Sequence, residues 1–154
     1  MTSLFITLIL LSLILALSQA TQDVTVELIK AGNGPPVTTS HRYSSHVTLY
    51  IKNADGSKTP SGWSTRVSDG APTDKPFAFQ PGVGLITGWT EGVLKMKEGE
   101  RSWLSVPSEK GYGSQAMGRP GGGGGFYIPA NSNLLFDIEI LGKESEIMGG
   151  REDL

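Results

Sequence analysis

The chain has 154 residues, a formal net charge of −2 and no cysteine. Near-neutral charge leaves no basic excess with which to hold nucleic acid or an anionic membrane surface. The missing cysteines exclude disulfides, a thiol nucleophile and any cysteine-based zinc site.

Residues 1–20, MTSLFITLILLSLILALSQA, carry no charged side chain. Their apolar run is shorter than the roughly 20 residues a helix needs to cross a bilayer, and Ser18-Gln19-Ala20 offers the small residues at which signal peptidase cuts. The pattern predicts a secretory signal peptide over 1–20, cleaved after Ala20. An uncleaved signal anchor is the alternative, because no Lys or Arg precedes the apolar run. Residues 21–142 then suffice for one domain with one core, without further membrane contact.

From residue 23 the period becomes that of a strand, with Val24, Val26 and Leu28 alternating with Thr25 and Glu27. After the turn-rich AGNGPPVTTS, a second strand reads SHVTLYIK, with Val47, Leu49 and Ile51 on one face and Tyr50 on the other. Asp55-Gly56 suits a hairpin turn that demands positive φ. A third strand carries Trp63, and a Gly/Pro/Asp loop leads to KPFAF. One short helix is expected in WTEGVLKMKEGE, where Trp89, Val93 and Met96 recur at helical spacing and Gly99 is placed to end it. ERSWLSVP returns to strand, and NLLFDIEILG closes with Leu134, Phe136, Ile138 and Ile140 on one face. The fold class is α+β, with five or six antiparallel strands packed on one central helix. Residues 143–154, KESEIMGGREDL, read as a flexible polar tail.

Conventional catalytic chemistry has little to use. His41 and His46 read as surface histidines rather than a metal site, and no cofactor motif is present. Glu98, Glu100, Glu144, Glu146 and Glu152 look like a solvated face rather than a paired acid and base. No serine sits in a nucleophile elbow, and the GVG before the helix lacks the rest of a dinucleotide fingerprint. What the chain does have is aromatics spread along its length: Tyr50, Trp63, Phe77, Phe79, Trp89, Trp103, Tyr112, Phe126, Tyr127 and Phe136. Taken singly, each reads as core.

Taken in order, the segments KPFAF, GLITGWTEGVLKMKEGERSWLSVPSEKGYG and FYIPANSNLLFDIEILG resemble the FKBP-type peptidyl-prolyl cis–trans isomerases. The resemblance runs from about residue 23 to residue 142. It implies an FKBP-like twisted antiparallel β-sheet wrapped around one short central helix, with a bowl between them that receives a substrate proline. On that resemblance Trp89 is the floor, Tyr50, Phe77 and Phe136 the aromatic walls, and Leu85, Ile86 and Ile128 the aliphatic rim. Trp63 replaces a family phenylalanine beside the bowl. The Ile86 N–H and the Tyr112 phenol donate hydrogen bonds to substrate carbonyls. The glycine-rich residues 111–129 correspond to a flap over one side of the bowl, left mobile by the glycines at 121–125.

The implied activity is rotation of Xaa-Pro bonds in proline-containing polypeptides, with no cofactor and no metal, and with the family's macrolide inhibitors as further ligands. One position departs from the pattern: Ser64 stands where the family has an aspartate, with Asp69 as a possible neighbour. The alternative is therefore a weakly active or non-catalytic, chaperone-like proline-binding module; an unrelated secreted β-domain requires the motif order to be accidental. The terminal Arg-Glu-Asp-Leu reads as an endoplasmic-reticulum retrieval signal of the KDEL class, with secretion as the second possibility.

Overall fold

A computed structural model describes residues 22–121 and 125–145. The signal peptide expected over residues 1–20, residues 122–124 of the expected flap and the Arg-Glu-Asp-Leu end lie outside these. The strands are β1 (Thr25–Lys30), β2 (Tyr43–Lys52), β3 (Lys58–Ser64), β4 (Phe77–Phe79), β5 (Arg101–Val106), β6 (Met117–Gly118), β7 (Tyr127–Ile128) and β8 (Asn133–Lys143); the helix α1 is Thr87–Val93. Six strands form one antiparallel sheet in the order β1-β5-β8-β2-β3, with β4 joined to β2 on the same side as β3; β6 and β7 pair separately as the flap.

The period-2 pattern of β8 puts Leu134, Phe136, Ile138 and Ile140 in the core, all at 3% exposure or less. Val47 and Leu49 of β2 and Leu104 and Val106 of β5 meet them on the same inner face. The β2–β3 hairpin turns where expected: Gly56 adopts φ 84°, and the Asp55 carboxylate accepts from the Ser57 N–H at 2.9 Å. Those Ser57 hydrogen bonds hold the Asp55 carboxyl below its ordinary value.

The helix begins at Thr87 and ends at Val93, earlier than its sequence pattern suggests. Met96 is buried beyond its end, so the apolar period outlasts the helix. Gly99 does not cap it. With φ 80°, it shapes the turn closed by the Glu100 N–H on the Lys97 carbonyl, at the entry to β5.

Leu28 is 59% exposed rather than inward, because β1 pairs only with β5, at the margin of the sheet, and breaks register beyond Leu28. Glu98 and Glu100 are buried, not solvated. Glu98 lies 3.5 Å from Lys143 Nζ, and Glu100 accepts from the Lys97 N–H and the Ser102 hydroxyl. The order also passes residue 142, since β8 includes Lys143 and Glu144 pairs with Arg42 at 2.8 Å.

Candidate active site

Two glycines fix where α1 lies. A Cβ at Gly88 would fall 2.2 Å from Val106 Cγ1, and one at Gly92 would fall 2.1 Å from Leu104 Cδ1. Their four-residue spacing puts both on one helix face, so the helix backbone settles directly on β5. Trp89 is thereby held inside, 3% exposed. The loop before it is pinned by the Gly82 N–H on Thr90 Oγ1 at 3.0 Å, and the segment leading to Tyr112 is pinned by Lys110 on Glu91 at 2.9 Å.

Three phenylalanine rings meet the Trp89 indole edge to face: Phe136 at 5.1 Å, Phe79 at 5.5 Å and Phe77 at 5.8 Å between centroids. Edge-to-face contacts of this kind stabilise by about 0.5–1.5 kcal/mol each beyond burial, so the floor is a rigid aromatic cluster. Trp63 meets Phe77 edge on at 5.7 Å. It stands beside Leu49 because β3 skips register there: Leu49 faces Trp63, while Tyr50 faces Pro60. Within this bulge Gly62 has φ 85°, and a Cβ on it would lie 2.1 Å from the Gly125 carbonyl oxygen. Only glycine lets the flap come this close.

These elements enclose a cavity of about 400 Å³. Of the expected site residues, Trp63, Phe77, Leu85, Ile86, Trp89, Tyr112 and Phe136 line it. Tyr50 does not. The alternation that turns Leu49 inward turns Tyr50 to the outer face of the sheet, 5.9 Å from Trp103 and under the Lys58 ammonium. Leu49 takes the wall position that the resemblance gives to Tyr50. Ile128 is wholly buried in β7 behind the lining, and Phe126, two residues earlier on the flap, reaches the cavity instead. Leu49, Gly84 and Phe126 are thus lining residues absent from the sequence expectation; the inward period of β2 was a usable signal for the first.

Among the described residues, no charged side chain lines the cavity. The Ser64 hydroxyl lies 2.8 Å from Thr48 Oγ1 and accepts the Arg66 N–H at 3.0 Å. Thr48 in turn donates to Asp69, so that carboxylate is also held away from the bowl. Donors at the cavity with no intramolecular acceptor among the described residues include the Ile86 N–H, at the residue that caps α1, the Tyr112 hydroxyl and the buried Trp89 Nε1–H in the floor. Burial pushes the Tyr112 phenol above its ordinary pKa, so it stays a protonated donor at neutral pH. His41 bonds Ser40 and Thr38, and His46 bonds Thr65, both away from the cavity.

Sheet, helix and flap together form a small domain around one aromatic-lined cavity with unpartnered donors at its rim. The profile of the FKBP-type peptidyl-prolyl cis-trans isomerases matches residues 36–141. The chain is 40% identical over 119 residues to "Peptidyl-prolyl cis-trans isomerase FKBP12" of Vicia faba, covering 77% of this chain and 96% of that one. It is 35% identical over 118 residues to "FK506-binding protein 1" of Aspergillus oryzae, covering 75% and 93%. The crystal structure of AtFKBP13 superposes with a TM-score of 0.59 at 30% identity, over 78% of this chain and 92% of that one. The chain belongs to the FKBP-type peptidyl-prolyl cis–trans isomerase family and is an enzyme of that class.

Proposed function

We propose that this chain rotates Xaa-Pro bonds of polypeptides travelling the secretory pathway, with the prolyl ring seated on Trp89 inside the aromatic bowl. The observation that carries this reading is an apolar cavity whose unpartnered donors, among the described residues, include the Ile86 N–H and the Tyr112 hydroxyl at its rim and the Trp89 Nε1–H at its floor. Prolyl rotation is slow because the planar amide loses resonance, a barrier of about 18–20 kcal/mol. The twisted amide is less charge-separated than the planar one, so an apolar enclosure disfavours the ground state more than the transition state. Each ~1.4 kcal/mol of that difference is tenfold in rate. Ile86 and Tyr112 hold carbonyls flanking the rotating bond, which orients the substrate while leaving the bond free to turn. No proton moves and no covalent bond forms, and the lack of acids and bases around the bowl suits such a reaction.

A protease-coupled or exchange-NMR assay on short Xaa-Pro-Phe peptides tests it, with acceleration over buffer expected. Folded protein that binds such peptides without accelerating them would support the second reading, a proline-binding module. Ser64 at the family's aspartate position, bonded to Thr48 and Arg66, with Asp69 tied to Thr48, favours that alternative. Macrolides of the FK506 type are expected in the same bowl, read by a change in tryptophan fluorescence.

The cellular place of action rests on residues 1–20 and on the terminal Arg-Glu-Asp-Leu. Together these support retention in the endoplasmic reticulum, with cleavage after Ala20. Deleting residues 151–154 is expected to release the protein into the medium. Equal secretion of the intact and shortened chains would assign it an extracellular role instead.

A further inference from the structure

We infer that a second groove beside the bowl reads the residue flanking the substrate proline, and that Lys75 makes it select an acidic side chain; this rests on the isomerase reading above. The groove, of about 310 Å³, adjoins the bowl, since Trp63 and Phe77 line both. Their edge-to-face pair forms the ridge between the two depressions. A peptide whose prolyl ring lies on Trp89 and whose chain leaves over that ridge places its next side chain in the groove lined by Ser64, Thr65, Lys75 and Pro76.

The loop that builds this groove is fixed by its own hydrogen bonds. Ala71 N–H donates to the Arg66 carbonyl at 3.0 Å, and Lys75 N–H donates to the Thr65 carbonyl at 3.3 Å. The acids of the same loop are turned elsewhere: Asp74 accepts the Val67 N–H at 2.7 Å, and Asp69 accepts from Thr48. Lys75 has no ion pair among the described residues and is the only charged residue lining the groove. Among the described residues, none that lines the bowl is charged. An extended substrate therefore meets a single positive charge, one residue away from an apolar anchor.

Two peptide series test this, one with Glu or Lys immediately before proline and one with Glu or Lys immediately after it. Rates are read by exchange NMR, which needs no coupling protease. In one series the wild-type chain is expected to favour Glu over Lys by about two- to fivefold, the strength of an exposed ion pair. Lys75→Glu is expected to invert that order and Lys75→Gln to bring the ratio near one. In ~1 M salt, where screening acts within about 3 Å, the wild-type preference should fade. Ratios that are the same in wild type and Lys75→Glu, in both series, overturn the assignment. If folded protein accelerates no peptide at all, the isomerase reading fails separately. Tryptophan-fluorescence titration with the same peptides then decides the groove: a Glu-over-Lys order inverted by Lys75→Glu upholds it, and equal affinities overturn it.

Discussion

On its inner face β8 presents Leu134, Phe136, Ile138 and Ile140, all buried in the core; on its outer face the same strand presents Leu135, Asp137 and Glu139. β2 divides likewise, with Val47 and Leu49 inward and Thr48 and Tyr50 outward. The inner face continues into the bowl. The outer face is an electrostatic brace: Arg101 forks onto Asp137 at 2.8 and 2.7 Å, Arg66 sits 3.8 Å from both Asp137 and Glu139, and Lys58 lies 4.1 Å above the Trp103 ring. Alternation thus lets one sheet separate the proposed site from much of its ionic support. Substitutions on the two faces should fail differently.

The largest effect is expected inside. Phe136→Ala removes a core side chain and the closest ring against Trp89, and should cost about 3–5 kcal/mol of stability in a denaturant titration, with loss of turnover. Outside, Asp137→Asn leaves two arginines short of a carboxylate. It should cost about 2 kcal/mol, below the ~3–5 of a fully buried pair because water reaches Arg101. Turnover per folded molecule should be unchanged, and a fall in that quantity would break the separation of the faces.

Sequence patterning located both faces, and where it failed the causes were local. The period of β2 turned Leu49 inward and Tyr50 outward, whereas the family resemblance assigned Tyr50 to the bowl. The structure follows the period, because a one-residue change of register in a strand exchanges its faces. Gly99 looked like a helix terminator since Met96 kept the helical spacing, yet the chain had already left the helix at Val93. Leu28 fitted its strand pattern but lies at the sheet margin, with no layer over it. Phe126 was hidden by its glycine-rich surroundings, where no period marks which side chain turns inward. The roles of Gly88 and Gly92 depend on the approach of β5, a long-range contact that a helical wheel does not contain.

Smaller effects sharpen the contrast. Tyr112→Phe should weaken substrate and macrolide binding by about 0.5–1.5 kcal/mol, the net value of one hydrogen bond. It should leave stability nearly unchanged, since the hydroxyl has no intramolecular partner among the described residues. Among the described residues Tyr112 is also the only ionisable side chain lining the bowl, so turnover should be level through neutral and mildly acidic pH. Its folded pKa is raised by burial, so its contribution to stability is complete below the unfolded value near 10 and is lost as pH rises through the folded one. A pH–rate profile and melts in alkaline buffer read both. The smallest effect is expected of Tyr50→Phe, within about 0.5 kcal/mol in stability and without change in turnover.

The most direct measurement is an exchange-NMR experiment on a Leu-Pro-Phe peptide with the isotope-labelled protein, recording isomerisation rates and intermolecular contacts of the prolyl ring together. Accelerated exchange with prolyl contacts to the Trp89 indole and Phe136 ring is expected. Acceleration accompanied by contacts to Tyr50 and Trp103 on the outer face, or contacts at Trp89 without acceleration, would contradict the assignment of catalysis to the inner bowl.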